Sequence, residues 1–208
     1  MLRIAFAIED HLGHRALLSN LRRALLAQEG EAVDASWFPV DPRGEGILSL
    51  RRLRDQHALV FGLKLRKVIR DARTGGWPDA FFIHTQRMAH LSVDLMRQVP
   101  CFLSIDATPR ELDDMYRPLS GLASQEGGMY WKVRDAIHGR TYRAARGIIT
   151  MSSLVASTLT SAYGVEPEKI LVLLPGVDTS LWRPLPARQP DRNVRLLFIG
   201  GGVERKGG

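Results

Sequence analysis

The sequence predicts an α/β fold, a Rossmann-like doubly wound sheet of parallel strands. Three observations predict it. Short apolar runs of strand length recur along the chain: "LRIAFAI", "AFFIHT", "CFLSIDAT", "GIITM" and "KILVLLP". Segments with helical spacing of apolar residues separate them, which implies right-handed βαβ units. The chain has 208 residues, 45% of them hydrophobic, enough for a core of ordinary size and one domain with some excess.

The elements follow in order. "LRIAFAI" is the first strand. Leu17, Leu18, Leu21, Ala24, Leu25 and Leu26 then mark a helix over 16–27, with Gly30 placed as its stop. "AVDASWFPV" is the second strand. A long helix over 48–73 follows, with Leu50, Leu53, His57, Phe61, Leu65, Val68 and Ala72 near one face, and "TGGWPD" ends it. After "AFFIHT" comes a short helix, "AHLSVDLMRQ". After "CFLSIDAT" come about twenty residues with no clear period, and loops that long are usually functional or disordered. "YWKVRDAIHGRTYRAA" is a helix, "GIITM" a strand, and "SSLVASTLTSAYG" a helix with serine caps. "KILVLLP" closes this set. A proline-rich connector over 176–193 follows, in which Asp178 can cap a turn at "TSLW". It leads to a last strand, Val194 to Ile199, and a glycine turn. The expected organisation is therefore a domain over 1–175, a connector over 176–193, and the start of a second, truncated domain over 194–208.

Composition narrows the function classes. The single cysteine, Cys101, lies in an apolar run and can form no internal disulfide, which suits a reducing, cytoplasmic compartment and an inert buried thiol. No run approaches ~18 apolar residues, so no transmembrane helix is expected. The net charge is +7, and it is concentrated. Between Leu48 and Arg73 stand Arg51, Arg52, Arg54, Lys64, Arg66, Lys67, Arg70 and Arg73 against Asp55 and Asp71. One basic element on a nearly neutral protein argues against a nucleic-acid binder. It leaves open a solvated helix face or contact with an anionic membrane surface through 48–73, at the inner face of the membrane.

In a parallel sheet, ligands sit beyond the carboxyl ends of the strands. Four stretches qualify. "EDHLGHR" holds His11, Gly13 and His14, and its glycine and helix N-terminus could face an anion; an ordinary strand-to-helix turn is the alternative. "FFIHTQ" puts His84 at a strand end, as a ligand residue or as a satisfied structural histidine. "SIDATPRELDD" puts Asp106 at the next strand end, as a cleft residue or as the cap of its own turn, with Arg110, Glu111, Asp113, Asp114 and Arg117 after it. The tail "GGGVERKGG" is neither a P-loop nor a dinucleotide fingerprint, but a mobile glycine turn beside Arg205 and Lys206 suits a diphosphate. No metal-ligand spacing and no GxSxG elbow occurs.

"EKILVLLPGVDTSLWRP", followed by "VRLLFIGGGVERKGG", resembles the retaining glycosyltransferases of family 4, which have the two-domain GT-B fold. The first strand with its turn, and the "SIDATP" strand, fit the acceptor domain of that family. The resemblance implies an enzyme that transfers a hexose from a nucleotide-sugar donor to a saccharide or lipid-linked acceptor, with no cofactor. Lys206 would contact the donor diphosphate. Gly201 stands where the family has an arginine, so Arg205 would supply that charge. Gly13 would face the donor phosphates across the cleft. Asp106 falls where the family has a first-domain histidine, which marks it as the candidate catalytic residue; His14, His84 and Arg110 are the candidates for acceptor binding. Pro175 replaces the asparagine of the family's "NGVD". The second domain with its Glu-x7-Glu motif would lie beyond residue 208, so this chain alone is expected to be inactive. The competing expectation is a non-catalytic carbohydrate- or partner-binding domain.

Overall fold

In a computed structural model of the chain, the described residues are 1–10, 13–27, 33–41, 57–74, 76–120, 128–184 and 196–198, of which 57, 73–74 and 116–120 are described in backbone only. Among them the order is β1 (Leu2–Glu9), α1 (His14–Leu26), β2 (Val33–Val40), α2 (His57–Thr74), β3 (Ala80–His84), α3 (Gln86–Ala89), a 3-10 turn (His90–Ser92), α4 (Val93–Met96), β4 (Cys101–Ile105), α5 (Pro109–Ser120), α6 (Met129–Ala144), β5 (Gly147–Thr150), α7 (Ser153–Tyr163), a second 3-10 turn (Pro167–Lys169) and β6 (Ile170–Val172).

The six strands form one sheet in the order β2-β1-β3-β4-β5-β6, with every neighbouring pair parallel. Residues 196–198, from the expected last strand, carry no pairing to this sheet, and Leu196 and Leu197 are exposed. Alternation sorts each strand between two cores. Ala5 and Ala7 of β1 join Phe81, Ile83, Cys101, Leu103, Ile105 and Ile148 in the larger cluster, under α2, α3, α4, α6 and α7. Phe6 and Ile8 turn the other way, onto Leu18, Leu21 and Leu25 of α1. Burial on both faces explains why β1 and β3 read as unbroken apolar runs. Cys101 is fully buried, and desolvation pushes its thiol up to about 12. It is inert, as the sequence predicts.

Three expectations need adjusting. The irregular stretch after Asp106 is largely helix. Thr108 and Glu111 supply one half of a capping box, in which Glu111 Oε2 accepts from the Thr108 backbone N–H at 2.7 Å and from its hydroxyl. Pro109 takes the first helical position, where its missing N–H costs nothing. The helix is polar enough to hide its period, but "TPRE" carries the start signal. The buried face of α2 runs through Phe61, Leu65 and Ile69, with Val60 beside it, and Val68 is only partly buried. That stripe is core. Arg66 forks onto Asp94 at 2.6 and 2.8 Å, and Lys64 donates to the Asp41 carbonyl at 3.1 Å. Among the described residues, Lys67 and Arg70 are exposed cations on the polar side of α2. Arg51, Arg52 and Arg54, and Gly30 as a helix stop, lie outside the described residues. No described helix is long and apolar enough to cross a membrane.

Ser152 caps α7, its hydroxyl accepting from the Leu154 N–H at 3.1 Å. Gly164 ends the helix at φ 64°, a conformation glycine adopts without a Cβ penalty.

Candidate functional site

The sheet order places β1 between β2 and β3, so the chain leaves β1 in one direction and returns to its other side. In open parallel sheets such a reversal, beyond the carboxyl ends of β1 and β3, is where ligands bind. Ile8 pairs with His84, and His84 with Ser104. The carboxyl ends of three strands thus stand side by side, and alternation decides where each residue points. His84 follows Phe82 onto the α1 side. Glu9 follows Ala7 onto the α2–α3 side.

His84 is boxed in. Its Nδ1 lies 3.0 Å from the Ser104 carbonyl and 3.1 Å from the Ser104 hydroxyl. A carbonyl can only accept, so Nδ1 carries the proton and Nε2 is an acceptor. Nε2 lies 2.7 Å from His14 Nδ1, which must therefore donate. The relay leaves His14 Nε2 as its outer end, 3.8 Å from Glu9 Oε2. Burial, and then the neighbouring His14, lower His84 to about 4, against weaker opposition from Asp106 and Glu9. A neutral His84 at pH 7 is what the hydrogen-bond directions require.

Glu9 has no solvent exposure. Burial alone would raise its carboxyl, yet hydrogen bonds from Arg87 and Thr85, with the charge of Arg87, hold it below its ordinary value. Arg87 grips it with Nη2 at 2.5 Å and Nε at 2.8 Å. The Thr85 hydroxyl donates to the same carboxylate. Those bonds from Glu9 also raise Arg87, and its guanidinium lies 5.1 Å from the centre of the Phe61 ring. The second turn of the site is pinned by Gln86, whose amide donates to the Ala107 carbonyl at 3.1 Å.

The sequence candidates fall as follows. His14 and His84 are in direct contact. Asp106 lies at the rim, exposed, its Oδ1 accepting from the Ala107 N–H at 3.0 Å. It is near enough to act on both His84 and Arg87. Gly13 is the N-cap of α1 with right-handed backbone angles, and a Cβ there would meet nothing within 4 Å; open space, rather than strain, surrounds it. Arg110 is held by Asp135 at 3.0 and 3.2 Å, and its guanidinium lies 5.7 Å from the Tyr163 ring. Gly201, Arg205 and Lys206 lie outside the described residues. Glu9 and Arg87 are the pair that sequence reasoning missed. The signal was present in "AFAIED": an acid ending a strand buried on both faces must find a cation, and "HTQR" supplies one just past the neighbouring strand end.

No group of three or more potential metal ligands occurs among the described residues. Chemically, the strand ends offer the outer imidazole nitrogen of His14, 3.8 Å from Glu9 Oε2, one rim carboxylate, and a buried carboxylate already neutralised by arginine. That set suits hydroxyl recognition and orientation.

Comparison with known proteins adds the following. The model of Glycosyltransferase Family 4 matches residues 13–181. No curated protein matches the chain. Among solved structures, LpCGTa in complex with UDP is 11% identical at a TM-score of 0.50, over 85% of this chain and 54% of that one. UGT2 of Phytolacca americana, solved with UDP-2fluoro-glucose and pterostilbene, is 14% identical at a TM-score of 0.46, over 86% of this chain and 55% of that one. At these identities the likeness is one of fold. The chain spans about half the length of these structures.

Proposed function

The chain belongs to glycosyltransferase family 4, and we propose that it supplies the acceptor-side half of an enzyme that moves a sugar from a nucleotide-sugar donor to an acceptor hydroxyl with retention of configuration. The observation that carries this reading is the directed relay from Ser104 through His84 to His14 at the switch point of the sheet. His14 Nε2 accepts the hydrogen bond of the acceptor hydroxyl, and His84 holds the ring in the tautomer that permits it. Asp106 meets other hydroxyls of the acceptor from the rim of the crevice. Glu9 and Arg87 anchor the wall behind them. The free N–H groups at the start of α1, past Gly13, face the donor phosphates. From the family resemblance, Arg205 and Lys206 neutralise the departing diphosphate, with Gly201 in the turn between strand and cations. The UDP bound by LpCGTa makes a uridine diphosphate donor the first to test. Arg110, tied to Asp135, steadies α5 behind Asp106.

The partner half supplies the base and ribose pocket, so the 208-residue chain alone transfers nothing. Calorimetry of the chain with UDP- and GDP-sugars, beside a donor-hydrolysis assay, tests this. Micromolar donor binding or turnover by this chain would refute it. A saccharide screen followed by NMR tests the acceptor side. Shifts that centre on His14 and His84, and vanish in His84→Ala while the fold persists, are the expected result. Saccharide shifts that ignore this crevice would move the acceptor site elsewhere.

A further inference from the structure

The opposite end of the sheet carries a second concavity. A cavity of about 530 Å³ opens where β4, β5 and β6 begin. Its walls include Val99 and Ala145, and Arg97, Arg143, Arg146 and Lys169 line it without any acidic residue. The concavity is broadly open to solvent. Along β4, five residues at ~3.3 Å each separate it from the rim at Asp106. That exceeds a Debye length of ~10 Å at 0.1 M salt, so the two ends act as electrostatically separate sites.

The cations differ in how far they are already committed. Arg97 and Arg146 are exposed, and neither has a carboxylate partner among the described residues. Arg143 donates to the Tyr163 carbonyl at 2.7 Å, which orients its guanidinium without cancelling its charge. Gly139 makes room for that pose, since a Cβ there would come within 2.9 Å of Arg143 Nη1. Lys169 alone is paired, with the exposed Glu166 at 3.1 Å. Glu168, on the same turn, is also exposed. One fixed arginine and two exposed ones thus line the same concavity as Val99 and Ala145. Forked guanidinium donors recognise the tetrahedral, multiply charged oxygens of phosphate far better than a single carboxylate.

We propose that this cavity binds a phosphate or diphosphate group, carried by a free small molecule or by a lipid headgroup, at a site separate from the sugar-transfer crevice. The probes are pyrophosphate, in titration calorimetry at 0.15 M salt, and sedimented vesicles containing phosphatidic acid, against neutral phosphatidylcholine vesicles. The variants are Arg97→Gln with Arg146→Gln, both exposed and therefore tolerable to the fold, and Lys67→Gln with Arg70→Gln as an equal change of charge on α2. The expected result is saturable binding of at least one probe, weakened about tenfold or more by the cavity pair, since each charge-assisted hydrogen bond is worth at least that factor. The α2 pair should leave it within about twofold, and His84→Ala should leave it unchanged. Pyrophosphate binding alone identifies a free ligand; vesicle binding alone, lost in the cavity pair, identifies a headgroup. Binding by neither probe overturns the proposal, as does binding weakened equally by both charge pairs or abolished by His84→Ala.

Discussion

The molecule contains two histidine pairs that look alike and differ in every respect that matters. His14 and His84 meet edge to face with ring centres 4.6 Å apart. His90 and His138 do the same at 4.3 Å. Burial lowers His84 and His90 alike to about 4, and burial, then His90 and Arg134, lowers His138 to about 3. The pairs part at their nitrogens. In the first, nitrogen meets nitrogen at 2.7 Å, and donation runs from His14 through His84 to a backbone carbonyl, leaving His14 at the strand ends. In the second, His90 Nδ1 meets the Thr141 hydroxyl at 2.9 Å, His138 Nδ1 lies 3.4 Å from the Tyr142 hydroxyl, and His90 Nε2 has no hydrogen-bond partner among the described residues. One pair is aimed beyond the strand ends, and the other is wedged between helices. A lowered histidine pKa reports burial. Direction and place in the fold mark the candidate for function.

The largest effect should come from the wall behind the first pair. Arg87→Met leaves the carboxylate of Glu9 buried without its cation. Removing one partner of a buried pair typically costs ~3–5 kcal/mol. Arg87 is 40% exposed, so we expect about 3 kcal/mol, read from urea unfolding. Adding Glu9→Gln should recover part of that loss, because the uncompensated charge disappears. An additive double variant would mean that Glu9 and Arg87 do not depend on each other.

Next in size is the contrast between the pairs in transfer itself. In the enzyme that carries this half, His84→Ala should lower turnover about 100-fold, the scale of a lost positioned acid–base or hydrogen-bonding group. His138→Ala should lower only the amount of folded enzyme. Equal turnover per folded molecule in the two variants would erase the distinction between the pairs.

Acid should sharpen it. A histidine whose folded pKa lies below 6.5 is neutral in the fold and takes up a proton on unfolding. Its contribution to stability is complete above about 6.5 and is lost as pH falls toward about 4. Each such histidine adds a slope approaching ~1.4 kcal/mol per pH unit. Glu9 has the same sign and acts lower, losing its contribution only as pH falls below 4.5 through its depressed folded value. The variant with His90→Gln and His138→Gln should therefore lose more of the slope between pH 6.5 and 4.5 than His84→Gln does. An unchanged slope in the double variant would mean that the second pair is already protonated in the fold.

What the sequence made legible follows from where each signal resides. The parallel strands and the serine-capped α7 were readable because their determinants are local: apolar runs, a hydroxyl before a helix, a glycine after one. His14, His84 and Asp106 were readable as strand-end residues, but their pairing was not, because the contact between His14 and His84 depends on register across β1 and β3. Glu9 fell in the turn read after the first strand, and only the sheet order shows that Arg87 reaches it. The helix after Asp106 was hidden by its acidic, polar composition, although Thr108 and Glu111 announced it. Thr108→Ala, which removes the hydroxyl bond to Glu111 and keeps the backbone one, should cost no more than about 1 kcal/mol and leave the His14–His84 contact intact, visible as unchanged imidazole NMR signals.

The smallest expected change in stability belongs to Asp106. Its carboxylate is exposed and makes one described hydrogen bond, to the N–H of Ala107 at 3.0 Å. An exposed bond of that kind exchanges readily with water, so Asp106→Ala should cost no more than a few tenths of a kcal/mol beyond an ordinary surface change. Its effect on transfer should be much larger than its effect on stability. Asp106 stands at the end of β4, one strand over from His84, where a substrate hydroxyl held by His14 would come within reach of it. Asp106→Asn separates the two roles, since the amide oxygen can still accept from Ala107 while the charge is gone. If the role is contact with the substrate through charge, Asn and Ala should lower turnover alike while Asn keeps full stability. If Asn restores turnover as well as stability, the residue shapes the turn into α5 and the crevice does not need its charge. If Ala lowers stability and leaves turnover per folded molecule unchanged, Asp106 is a cap, and the rim of the site must be sought elsewhere.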